Sequence, residues 1–175
     1  MSRGRLLLGK FFVLCGYSLL LSFFAVALLL AAGVWNFGTG TLYTFNVIYH
    51  NGFDGVSTVP AAEAPVRFLL ATLLSAAGMM VLNALALLVS ALVDTAAMAY
   101  VVTLSIYFIA LILRSFEFLD WLYPYLFVTH TLRWQQCFAD YVKTGEIYVS
   151  LVHMACYLVA FLASAVLLFE QRDIK

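Results

Sequence analysis

Charge is what this chain has least of. Asp, Glu, Lys and Arg make up 10% of its 175 residues and hydrophobic residues 65%, against about 25% and about 45–50% in a soluble domain. A chain of this length has room for only one modest core, so the composition excludes a water-soluble fold and implies a bilayer. Acids and bases balance at nine each, which excludes both a general basic field for nucleic acid and an acidic tail for a basic partner. Cysteine is also scarce. Cys15, Cys137 and Cys156 show no repeated spacing, so neither a disulfide framework nor a zinc site is expected and the three read as small buried or interfacial side chains. His153 and Cys156 fall at i and i+3, but two ligands do not complete a metal site.

What is present is four long apolar runs, at about 11–35, 66–92, 96–113 and 147–169. Each approaches or exceeds the roughly 20 residues needed to cross a bilayer. The first follows a basic start, Ser2-Arg3-Gly4-Arg5 through Lys10, as a signal peptide would, but is longer than the roughly 7–15 apolar residues of one. Trp35, Phe37, Tyr43, Phe45 and Tyr49 follow it, placing aromatic rings at headgroup level. The second opens at Pro65, where a missing N–H does no harm, and is rich in Ala, Ser and Gly, which let helices approach closely in lipid. Asp94 interrupts the next apolar stretch once and is placed to cap the helix beginning near Ala96. Tyr100, Thr103, Tyr107 and Arg114 then share one helical face. The expected fold is an all-α integral membrane protein, with residues 1–175 forming a single transmembrane domain.

Two connections are long. Residues 36–65 carry turn signals at Gly38, Gly40, Asn51-Gly52, Asp54-Gly55, Pro60 and Pro65. Thr41 to His50 has the composition of one arm of a short hairpin, and His50 reads as a solvated loop residue. Residues 115–146 crowd Phe116, Phe118, Trp121, Tyr123, Tyr125 and Phe127 around Pro124, which breaks any helix there. From about 129 to 144 the pattern turns helical, with Arg133, Gln136, Asp140 and Lys143 on one face, Trp134, Cys137, Phe138, Tyr141 and Val142 mostly opposite, and Gly145 as a stop. An amphipathic helix of about 16 residues cannot span, so an interfacial or re-entrant helix is expected between spans three and four.

With the N-terminus inside, four crossings return the C-terminus inside. Arg3, Arg5, Lys10, Arg172 and Lys175 then outnumber Asp94, Glu170 and Asp173 on the inner side. Outside, Arg67, Arg114, Arg133 and Lys143 are outnumbered by Asp54, Glu63, Glu117, Asp120, Asp140 and Glu146. Basic clustering at both ends points to cytoplasmic termini. It also puts Cys137 outside, within reach of an impermeant thiol reagent.

Gly4 to Lys10 has the glycine and lysine spacing of a phosphate-binding loop, but Phe11 replaces the Ser or Thr that would hold magnesium and only three residues precede it. It reads as coincidence, with Lys10 snorkelling at the membrane edge. No span has Asp, Glu, Lys or Arg in its middle, the usual mark of ion coupling, so energy for transport would have to come from elsewhere. Ser18, Ser75, Asn83, Ser90, Tyr100, Thr103, Tyr107 and Ser164 are candidates to line a pathway, and helix-to-helix hydrogen bonds explain them equally well.

Basic residues before a span, an outer loop, a Ser90-Ala91-Leu92-Val93-Asp94 hairpin, an aromatic and amphipathic outer segment broken by Pro124, and a last span closing on Phe169-Glu170-Gln171-Arg172-Asp173-Ile174 follow in order. This order resembles the C-terminal two-thirds of permease subunits of ATP-binding-cassette exporters of the type-2 class. The resemblance implies a six-span permease in the cell membrane that works as a homo- or heterodimer with a separate ATP-binding subunit. That subunit would carry the ATP and magnesium, leaving this chain without cofactor, metal or catalytic residue. The chain then looks like a fragment or shortened member lacking the first two spans. Arg3, Arg5, Lys10 and Asp94 are the expected contacts to the ATPase subunit, although roles as membrane flanks and a helix cap are equally open. From another class, a free-standing four-helix scaffold or assembly protein would need no ATPase partner, and a proton-coupled antiporter would need a carboxylate in the first span, where there is none.

Overall fold

The computed structural model describes residues 3–48 and 52–171. Among these, four helices are long and apolar enough to cross a membrane: α1 (Arg3–Phe37), α2 (Ala64–Leu92), α3 (Ala96–Arg114) and α5 (Thr144–Gln171). This is a membrane-embedded, mostly helical protein. α1 and α5 run several residues past the apolar cores that mark them in the sequence, because the helical hydrogen-bond ladder continues into flanking polar residues.

α2 is the centre of the bundle and packs against α1, α3 and α5. Its small residues make this possible. Ala71, Ala76, Gly78, Ala84 and Ala91 are all buried, and without bulky side chains there the neighbouring backbones come close enough for dispersion contacts, the main attraction between helices in lipid. The buried residues of α1 lie in its first half, where Leu7, Phe11 and Cys15 are buried and Phe11 and Cys15 pack with Ala84 of α2. Its second half leaves Leu28, Leu29, Val34 and Trp35 exposed, as a lipid-facing helix would. A Cβ added to Gly4 would come within 3.0 Å of Glu170 Oε1, so the start of α1 lies beside the end of α5.

Between α1 and α2 stands an antiparallel hairpin, β1 (Leu42–Ile48) and β2 (Gly52–Val59). Phe45 pairs with Val56 and Val47 with Phe53, so Asp54 and Gly55 together oppose Asn46. The Asp-Gly pair that signals a turn in the sequence therefore forms a bulge within a strand, the two-against-one arrangement that glycine favours. The fold is accordingly not purely α-helical. Met1, Ser2, Tyr49, His50, Asn51 and Arg172 to Lys175 lie outside the described residues.

Two expectations are corrected. Thr95, not Asp94, caps α3: its hydroxyl accepts from Met98 N at 3.3 Å, with the extended backbone (φ −123°, ψ 143°) that an N-cap needs. Residues 129–144 do not form one amphipathic helix. A single-turn helix α4 (Phe127–Thr131) is followed by a 3-10 segment, Arg133–Phe138, then bends to Lys143, and Gly145 lies in the first turn of α5 rather than at a helix stop. The reason is that carbonyls which an α-helix would engage internally bond elsewhere. Cys137 O and Ala139 O accept from Arg67, and Phe138 O accepts from the Thr44 hydroxyl at 2.9 Å.

The bundle therefore has two unlike ends. One holds the start of α1, the turn at 93–95 and the end of α5. The other holds the hairpin and residues 115–143, which pack together through Thr44 and through Thr58 N donating to Asp140 Oδ1 at 2.8 Å, while Phe138 also packs edge to face on Phe68 of α2.

Candidate functional site

The described polar groups concentrate in a seam where residues 114–146 meet α5. It begins at Arg114, the last residue of α3, which is buried. Its Nη2 donates to the Tyr123 hydroxyl at 3.2 Å, and the guanidinium carbon lies 5.4 Å from that ring's centroid. The 3-10 turn Tyr123–Tyr125 turns its carbonyls toward the next elements. Tyr123 O accepts from the Thr129 hydroxyl at 2.9 Å, Tyr125 O accepts from the Tyr157 hydroxyl, and Pro124 O faces His130 Nε2 at 2.9 Å.

That last contact fixes the tautomer of His130. A carbonyl can only accept, so Nε2 carries the proton and Nδ1 is left with its lone pair, 3.2 Å from the Ser150 hydroxyl, which donates to it. His153 is fixed in the opposite sense, its Nδ1 donating to Val149 O at 2.8 Å. The two rings stack face to face, centroids 4.4 Å apart and planes 11° from parallel. Burial pushes His130 below the ordinary histidine range. The bond to Pro124 O opposes that only in part, and His153 and Arg133 add to the lowering. His130 is therefore a neutral side chain near pH 7 with one fixed donor and one fixed acceptor.

The seam opens at Glu146. Its Oε2 accepts from Arg133 at 2.8 Å and from Gln136 at 3.0 Å, and Lys143 Nζ lies 3.2 Å from Oε1. Buried Arg133 Nε and Gln136 Oε1 have no protein partner; a donor and an acceptor three residues apart on a 3-10 helix lie one above the other, a geometry a bridging water would satisfy. Below this point the seam meets the apolar core. Thr131 reaches Gly78, at the middle of α2, where an added Cβ would lie 3.0 Å from Thr131 Cβ, and Phe127 packs edge to face on Phe161.

The residues singled out in the sequence are distributed as follows. Arg133 and Gln136 join the Glu146 cluster, while Asp140 bonds the hairpin and Lys143 is exposed beside Glu146. The four therefore do not share one face. Cys137 is fully buried, so it is not open to a soluble thiol reagent as expected, and burial pushes its thiol pKa up. Arg5, Lys10 and Asp94 are exposed at the end of the bundle that holds the helix termini, and the Arg3 side chain lies outside what is described. Gly4 to Lys10 are helical and form no loop. Asn83 donates to the Ser18 hydroxyl at 2.8 Å and joins α2 to α1. Thr103 is buried and donates to Ala99 O of its own helix, Tyr107 packs on the core, and Ser90 and Tyr100 are exposed. These five do not meet in one place.

His130, Ser150, Glu146 and Tyr157 are not among the residues that sequence reasoning assigns to a site. A signal is there: Thr129-His130-Thr131 is a polar triplet directly after an aromatic run, and three adjacent polar residues in such a context need internal partners. Among the described residues no group of three or more His, Cys, Asp or Glu is placed to hold a metal. No protein-family model matches the chain, and neither does any curated protein or solved structure.

Proposed function

We propose that this chain is the membrane-spanning permease component of an ATP-driven exporter, coupled to a separate ATP-binding subunit and paired with a second permease as a homo- or heterodimer. The observation that carries the proposal is the asymmetry of the bundle. Among the described residues, one end presents the helix termini and a tight turn with Arg5, Lys10 and Asp94 exposed, a surface suited to gripping a partner. The other end brings a polar seam inward until Thr131 touches the middle of α2, which gives an otherwise apolar bundle a hydrogen-bonding wall. In this proposal the termini are cytoplasmic in the cell membrane, residues 127–131 are the re-entrant element, and the substrate leaves past Glu146 and His130. Nucleotide and magnesium belong to the partner.

The test is photo-cross-linking in native membranes from probes placed separately at Arg5 and Asp94, with Tyr43 at the opposite end as control. An adduct from Arg5 and Asp94, but not Tyr43, to a protein that hydrolyses ATP when the complex is purified is the expected result. Adducts only to lipid or within the chain, with no ATPase recovered, would leave the four-helix scaffold in its place.

A further inference from the structure

We propose that the stacked pair His130–His153 is a proton-operated latch: with both rings neutral it holds α4 in the seam, and acid releases α4 from α5 while the four spans stay packed. This does not depend on the exporter proposal. It starts from how α4 is held. Its five residues make a single turn, flanked by the extended backbone of Leu126 (φ −82°, ψ 121°) and by Leu132, outside the helical region (φ −93°, ψ 1°). A helix this short has no stability of its own, so side chains fix its place. Phe127 packs edge to face on Tyr157 and Phe161, the Thr129 hydroxyl donates to Tyr123 O, and Thr131 lies against Gly78. His130 alone in α4 is of a type that changes charge between about pH 5 and 8. It also braces two elements at once, with Pro124 O on one side and Ser150 of α5 on the other.

Among the described residues, those that bear on His130 offer a proton no counter-charge. From α5 it meets the His153 ring at 4.4 Å, the Ser150 hydroxyl, and the Tyr157 ring at 6.4 Å. From residues 133–138 it meets Arg133, and the charges of His153 and Arg133 both oppose protonation. The turn at 123–125 carries Tyr123 and Tyr125 and offers Pro124 O, which accepts from Nε2 in either state. α3 brings Arg114, bonded to Tyr123. The one charged residue of α2, Arg67, is bonded to Glu63 and to the carbonyls of Cys137 and Ala139. Glu146, one turn before Ser150, is engaged by Arg133, Gln136 and Lys143. A proton on Nδ1 also ends its acceptance of the Ser150 hydroxyl. Protons on both rings set like charges face to face in a buried place, and outward movement of α4 lets water reach them.

The test is amide hydrogen exchange of the full chain in phosphatidylcholine nanodiscs from pH 7.5 to 5, each rate divided by the intrinsic rate at that pH. The Thr129 and Leu132 amides, bonded to Leu126 O and Val128 O, report on α4. Their protection should fall about tenfold or more across the series, since each extra proton bound by the open form shifts opening up to about tenfold per pH unit. Residues 71–85 of α2 should keep theirs. H130Q, which retains a donor and an acceptor but cannot charge, should show no fall. H153Q keeps His130 in place with one charge fewer, so a smaller fall than in the wild type is expected there even if H130Q loosens α4 at every pH. Wild-type protection unchanged from pH 7.5 to 5, a parallel loss in α2, or a full-sized fall in H153Q would each overturn the proposal.

Discussion

At one end of the bundle three residues, Val93 to Thr95, turn α2 into α3 with one side-chain cap. At the other end residues 115–143 connect α3 to α5 through two 3-10 turns, one short helix and a further 3-10 segment, nearly every one tied by a side chain to another element. The difference is one of environment. Where a connection only reverses direction, a short turn with a capping hydroxyl is enough. Where it passes among helices, each buried carbonyl needs an internal donor, and Arg67, Thr44, His130, Thr129 and Tyr157 supply them.

The contrast sets the sizes of mutational effects. The largest is expected where the layer packs on the core: Trp134→Asp together with Phe138→Asp should lower stability by about 4 kcal/mol or more, by uncovering apolar surface and forcing charge into it. Thermal unfolding in detergent, with limited proteolysis of 115–143, measures this. Gly78→Leu comes next, at about 1–3 kcal/mol from overpacking against Thr131. Gly9→Leu, where an added Cβ meets nothing within 4 Å, should leave the melting temperature where it was. Gln136→Ala should cost about 1 kcal/mol for the bond to Glu146. Thr95→Ala should cost about the same at the simple end, but without exposing 115–143 to protease.

Acid should act on the seam. Because His130 titrates below its unfolded value of about 6.5, the folded chain binds fewer protons than the unfolded one as pH falls below that value. Stability is therefore complete above about pH 6.5 and declines on acidification toward the folded pKa, beneath which the slope from this group vanishes. A melting series from pH 7.5 to 5 should show the decline, and His130→Asn should flatten it. An unchanged slope in His130→Asn would locate the acid sensitivity elsewhere.

Much of the simple end and of the spans that reach it can be read from sequence, because a span announces itself by length and apolarity and α2 announces itself as the packing helix by its small residues. The other end resists for a physical reason. Arg133 and Gln136 lie three apart, a spacing that α and 3-10 geometry share, so periodicity suggests one amphipathic helix where the chain instead diverts its carbonyls to Arg67 and Thr44. The cap lies one residue beyond the expected Asp94 because Asp and Thr are both good N-caps, and only the backbone at Thr95 decides between them. The His130–His153 stack joins a short helix to a distant span, and no local pattern encodes that meeting.

The inner part of the seam exists only if residues 127–131 lie inside the bundle rather than on its surface. Disulfide trapping between Gly78→Cys and Thr131→Cys, in a chain whose native cysteines are Ser, tests that placement directly. A Cβ at position 78 lies 3.0 Å from Thr131 Cβ, close enough that a small adjustment reaches the roughly 3.5–4.5 Å of a disulfide. The pair should cross-link under mild oxidation in membranes, while Gly9→Cys with Thr131→Cys should not. Failure of the 78–131 pair to link, with the thiol introduced by Thr131→Cys open to a water-soluble reagent, would place the segment on the surface and contradict the account.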